Sequence, residues 1–190
     1  MPSVLLAIFV RLCRTDLSGV GGPLVENAQI DPTVFVDDGG QAYLYWGNPD
    51  LQYITLNTDM ISYTGSIVKV NLTTAGFGVR SNTERPTAYE EGPWLYKRND
   101  LYYMIYAANC CAEDIRYSTG PSATGPWTYR GLVMATAGTS FTNHPAIVDF
   151  QNSSYFFYHN VSVEVSEKVE WDLMYRNRVL FLAVAASHVR

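Results

Sequence analysis

The stretch Tyr89-Glu90-Glu91-Gly92-Pro93-Trp94-Leu95-Tyr96, with Leu101-Tyr102-Tyr103-Met104-Ile105-Tyr106 behind it, sets two acidic residues before a Gly-Pro and then enters an aromatic hairpin. Two further copies flank it. Upstream, Asp31-Pro32-Thr33-Val34-Phe35-Val36 is followed by Ala42-Tyr43-Leu44-Tyr45-Trp46; downstream, His144-Pro145-Ala146-Ile147-Val148 is followed by Tyr155-Phe156-Phe157-Tyr158. Each copy places an ionisable residue just before or near a proline, then a short apolar strand, a polar turn, an aromatic strand and a closing Asn at Asn48, Asn109 or Asn160. The turns, Asp37-Asp38-Gly39-Gly40, Lys97-Arg98-Asn99-Asp100 and Gln151-Asn152-Ser153-Ser154, carry hairpin chemistry, because Asp, Asn and Gly tolerate positive φ.

Pro32 and Pro93 lie 61 residues apart, and Pro93 and Pro145 lie 52 apart, a period in the range of a four-stranded propeller blade. In such a ring, equivalent positions of successive blades converge on the central axis. The repeat therefore predicts that Asp31, Glu91 and His144 meet. Outer strands are expected at Tyr53-Ile54-Thr55-Leu56 and Ser66-Ile67-Val68-Lys69-Val70 in one blade, and at Asp114 to Ser118 and Trp127 to Gly131 in the next.

The bulk numbers agree with an all-β class. The 190 residues are 47% apolar and 16% charged, with 14 Tyr, 8 Phe and 4 Trp, and aromatic and β-branched residues favour strands. A net charge of −5 gives no reason to expect nucleic acid or an anionic membrane as partner. The aromatic excess suits a neutral ligand with apolar faces, such as a sugar. Three cysteines, two of them the adjacent Cys110-Cys111, make neither a disulfide framework nor a zinc spacing. These two are expected to be buried free thiols, with a vicinal disulfide as the alternative.

The apolar run Val4 to Val10 is too short to span a bilayer and lacks the basic segment and cleavage site of a signal peptide. Three N-glycosylation acceptors, at Asn71, Asn152 and Asn160, point toward a secreted, extracellular protein. The chain is expected to divide into a divergent segment 1–15, a partial propeller 16–160 and a divergent tail 161–190. Ser18 to Leu24 echoes Ser122 to Trp127 and reads as the end of a preceding blade.

The three motifs, taken in order at blade spacing, resemble glycoside hydrolase family 43, which holds β-xylosidases, α-L-arabinofuranosidases and arabinanases on a five-bladed β-propeller. The resemblance covers about residues 16 to 160 and implies about two complete blades plus parts of two others. It gives Glu91 the role of general acid, and gives Asp31 that of the auxiliary aspartate that orients the acid and tunes its proton affinity. His144 becomes a residue lining the ring centre, near which relatives often hold calcium or a water cluster; no cofactor is otherwise required. Trp46, Trp94 and Tyr89 are candidates to stack on a pentose. Glu90, Asp37, Asp38, Trp127, His159 and His188 are read as structural or turn residues.

The implied reaction is hydrolysis, with inversion, of arabinose- or xylose-containing polysaccharides such as arabinoxylan, xylan or arabinan. The family's catalytic base lies in a first blade that has no counterpart here, and Asp16 is not placed to serve. Weak or absent turnover by the chain alone is therefore expected, with self-association through open blade edges. The alternative is a non-catalytic carbohydrate-binding propeller fragment.

Overall fold

In the computed structural model the described residues are 24–25, 30–136, 141, 143–150, 153–159 and 184–185. Segment 1–15, Asp16, Asn160 and His188, with the expectations attached to them, lie outside these residues.

Three antiparallel sheets follow one another along the chain. The first orders β1 (Thr33–Val36), β2 (Ala42–Trp46), β3 (Gln52–Leu56) and β4 (Val68–Lys69) side by side. After the short helix α1 (Thr74–Phe77), capped by the Thr73 hydroxyl, the second does the same with β5 (Tyr89–Arg98), β6 (Leu101–Ala108), β7 (Asp114–Gly120) and β8 (Thr128–Met134). The third pairs β9 (His144–Phe150) with β10 (Ser153–His159), and β11 (Val184–Ala185) adds to β10 opposite Tyr155 and Phe156. The three expected hairpins are thus present, and the third gains a strand from the segment read as a divergent tail.

The hairpin turns form for the reason their composition gives. Asn99 and Asp100 both sit at positive φ, 50° and 60°, as a two-residue type I′ connection requires. In the first hairpin the Asp37 carboxylate accepts from the Asp38 amide at 2.9 Å, and Gly40 takes φ 82°. The inner strands β2 and β6 bury almost every side chain, so their aromatics become core rather than surface.

The sheets are tied by tyrosine hydroxyls reaching across to backbone carbonyls. Tyr45 donates to the carbonyl of Ala123 at 2.6 Å and Tyr89 to that of Gly47 at 2.7 Å. Asp37 accepts from Tyr102 at 2.6 Å and pairs with Lys97 at 3.0 Å, joining the first hairpin to the second. Trp94 donates its indole N–H to the Ile147 carbonyl at 3.1 Å, joining the second to the third. These ties aim the starts of β1, β5 and β9 at one place. Among the described residues no helix is long and apolar enough to cross a membrane.

Candidate active site

Asp31 stands at the centre of the place where the three hairpins begin. Its Oδ2 accepts from the Gly92 amide at 3.2 Å, and its Oδ1 lies 3.6 Å from His144 Nδ1. Asp31 therefore touches the residue after Glu91 on one side and the first residue of β9 on the other. Its backbone is held at φ 56°, a left-handed conformation that Asp tolerates better than most residues and that tends to collect at functional sites.

Glycine is required at Gly92. Its φ is 60°, and a Cβ there would sit 2.8 Å from the Asn143 carbonyl oxygen and 3.3 Å from the His144 Cα. The close approach lets β9 lie against the β5 backbone directly behind Glu91. The β5–β6 register shifts between Tyr89 and Glu91 and again between Glu91 and Trp94, the kind of local irregularity that re-aims a side chain.

Glu91 is half-buried, and among the described residues no cation is one of its hydrogen-bond or ion-pair partners. Asn48, the closing residue of the first hairpin, donates its side-chain amide to Glu91 Oε2 at 2.6 Å. Burial pushes the Glu91 carboxyl above its ordinary range; the Asn48 hydrogen bond pulls it down, the charges of Asp31 and Glu90 push it up, and His144 pulls it down. The net rise leaves a carboxyl inclined to keep its proton.

Its neighbour Glu90 is 5% exposed and differently placed. It pairs with Arg80 at 2.6 Å and with Arg85, and it accepts from the Cys110 amide at 3.3 Å. A third carboxyl, Glu113, is fully buried at 0% exposure, and its Oε2 accepts from the Asn143 amide at 2.7 Å. Neither Asn48 nor Glu113 stands out in the sequence as a site residue. Asn48 is marked only as the Asn that closes its hairpin, and Glu113 by nothing but its place after two cysteines.

The structure corrects three expectations. Trp46 is 0% exposed and packs with Leu44, Ile54 and Val25, and Tyr89 is 0% exposed against Phe77 and Tyr106. Neither ring offers a face to a sugar. Trp94 keeps part of its surface, with its indole N–H already committed to Ile147. Cys110 and Cys111 are joined as a vicinal disulfide at the β6–β7 turn, and Cys111 is exposed, so they are not buried thiols.

Among the described residues no group of three or more His, Cys, Asp or Glu side chains is placed to hold a metal ion, and the described acidic partner of His144 is Asp31. Asp149 sits at the hairpin end of β9, where it accepts from Tyr96 at 3.0 Å and from Ser154 at 2.6 Å.

Residues 15–184 match the glycosyl hydrolases family 43. An arabinoxylan arabinofuranohydrolase of Bacillus subtilis is 32% identical over 161 residues, covering 70% of this chain and 29% of that protein. A β-D-galactofuranosidase of Aspergillus niger is 29% identical over 154 residues, covering 74% of this chain and 41% of that protein. Among solved structures, an α-L-arabinofuranosidase from Clostridium thermocellum superposes with a TM-score of 0.59 at 30% identity, covering 73% of this chain and 47% of that one. The chain thus spans less than half the length of these relatives. The match reaches past residue 160 into the segment expected to be divergent.

Proposed function

This chain belongs to glycosyl hydrolases family 43, and we propose that its site is the acid-bearing part of a glycosidase centre acting on arabinose- or xylose-containing polysaccharides. Its sheets are then blades of a five-bladed propeller, and the starts of β1, β5 and β9 face the ring axis. The observation that carries the reading is Glu91: a half-buried carboxyl with its proton affinity raised, one neutral donor, and Asp31 beside it.

A general acid must reach the leaving oxygen still protonated, and burial next to like charge keeps a carboxyl in that form. Glu91 donates the proton. Asp31 holds the Gly92 amide and adds the negative charge that favours protonated Glu91, while His144 lines the site against Asp31. Inversion additionally needs an ionised carboxylate about 6.5 to 9.5 Å from the acid to activate water. No described carboxylate takes that role in this reading, so turnover by the chain alone is expected to be slow.

The test compares leaving groups. Glu91→Gln should cut pentose release from arabinoxylan by about 10²- to 10⁴-fold, and far less from a dinitrophenyl α-L-arabinofuranoside or β-D-xyloside, whose leaving group needs no proton. Equal losses on both substrates, or none on either, would remove Glu91 from the acid role. Affinity for xylo-oligosaccharides with no release by the unmodified chain would replace hydrolysis by carbohydrate binding.

A further inference from the structure

We propose that Glu113 is a positioning residue for this site: its buried side chain and its own carbonyl together grip Asn143, and thereby fix the approach of His144 to Asp31 and of the β9 backbone to Gly92. The proposal rests on reading Asp31, Glu91 and His144 as one centre.

The grip has two points. Glu113 Oε2 accepts the Asn143 amide at 2.7 Å, and the Glu113 carbonyl accepts the Asn143 side-chain amide at 2.9 Å. Asn143 is itself buried at 1% exposure. Its carbonyl oxygen is the atom that presses on Gly92, and the residue after it is His144, whose Nδ1 faces Asp31. Glu113 immediately precedes β7, an interior strand of the second sheet bonded to β6 and β8. A residue anchored in the second sheet thus sets where the third sheet begins.

Its surroundings favour a neutral carboxyl. Oε1 is buried and has no hydrogen-bond partner among the described residues, and Oε2 has one neutral donor. The largest charge effects on it come from Glu91 and Glu90 on β5 and from Asp31 before β1, all negative. The guanidiniums of Arg80 and Arg85 are engaged by Glu90. Burial, reinforced by these charges, pushes the carboxyl up to about 8, against which the Asn143 amide works.

The sign follows from proton binding. Between 4.5 and about 8 the folded chain holds this proton and the unfolded chain does not, so the stability it contributes is full below that window and is lost as pH rises through it. Glutamine copies the neutral form: it keeps an oxygen for the Asn143 amide and has no charge to gain.

The experiment is denaturant unfolding of the full chain across that window for the unmodified protein, Glu113→Gln and Glu113→Ala, with the His144 imidazole signals followed by NMR. The folding constant of the unmodified chain should fall relative to Glu113→Gln by up to about tenfold per pH unit. Glu113→Ala should lose roughly tenfold or more at the acid end and move the His144 signals, which Glu113→Gln leaves in place. If Glu113→Ala does not fold, Asn143→Ala releases the side-chain half of the grip and is read by the same signals. Parallel pH dependence of the unmodified chain and Glu113→Gln, or unmoved His144 signals once the grip is cut, overturns the proposal. None of these readouts needs turnover, so its failure is distinct from failure of the hydrolase reading.

Discussion

Glu90 and Glu91 are adjacent on β5 and share a residue type, yet they occupy opposite electrostatic situations. Glu90 is buried between Arg80 and Arg85 and also receives the Cys110 amide. Glu91 has the neutral Asn48 amide as its hydrogen-bond partner, with the charges of Asp31 and Glu90 acting against its ionisation. In the proposed reading, one strand thus supplies both an anchor and a proton donor. A carboxylate clamped by guanidiniums holds structure together, whereas a carboxyl denied a cation keeps its proton within reach of transfer.

Removing each in turn should separate the two. Glu90→Ala leaves Arg80, whose side chain is 1% exposed, without its closest partner, and breaking a buried pair from one side costs about 3 kcal/mol or more. Glu91→Gln should change stability by less than about 1 kcal/mol. Denaturant unfolding of the two variants measures this directly, and equal losses would erase the distinction.

Gly92→Ala tests the close approach of β9 behind Glu91. The left-handed φ costs a side chain about 1 to 2 kcal/mol, and the Asn143 oxygen would stand 2.8 Å from the new Cβ. Gly39, with nothing within 4 Å of a Cβ and no left-handed φ, is the permissive control and should tolerate alanine with little change. The expected result is a stability loss of about 2 kcal/mol at Gly92, with displacement of the His144 NMR signals that Gly39→Ala does not produce.

How much of this was readable beforehand follows from what each feature depends on. The hairpins depend on local turn chemistry and strand composition, so Asn99-Asp100 and the aromatic runs disclosed them. The meeting of Asp31 with the Gly92 amide and with His144 depends on a repeat, which survives in the spacing of three prolines. Trp46 and Tyr89 misled because an aromatic ring serves a core and a sugar equally well, and only packing decides which. Glu113 left no mark at all: its importance lies in a contact across 30 positions of sequence and in a buried oxygen without a partner, and neither has a sequence signature.

The finest distinction concerns how Glu91 is tuned. Asn48 donates to its carboxyl and so holds down the rise that burial produces, whereas the charge on Asp31 adds to that rise. A general acid loses activity as pH rises through its own pKa. Asn48→Ala should therefore move the alkaline limb of the pH–rate profile to higher pH. Asp31→Asn keeps an oxygen for the Gly92 amide but removes the charge, and should move the same limb to lower pH. The two variants act on Glu91 from different places, one through a hydrogen bond from after β2 and one through a charge before β1, so a general disturbance of the fold would not produce shifts of opposite sign. Limbs that move together, or not at all, would mean that the proton lost on the alkaline side does not belong to Glu91.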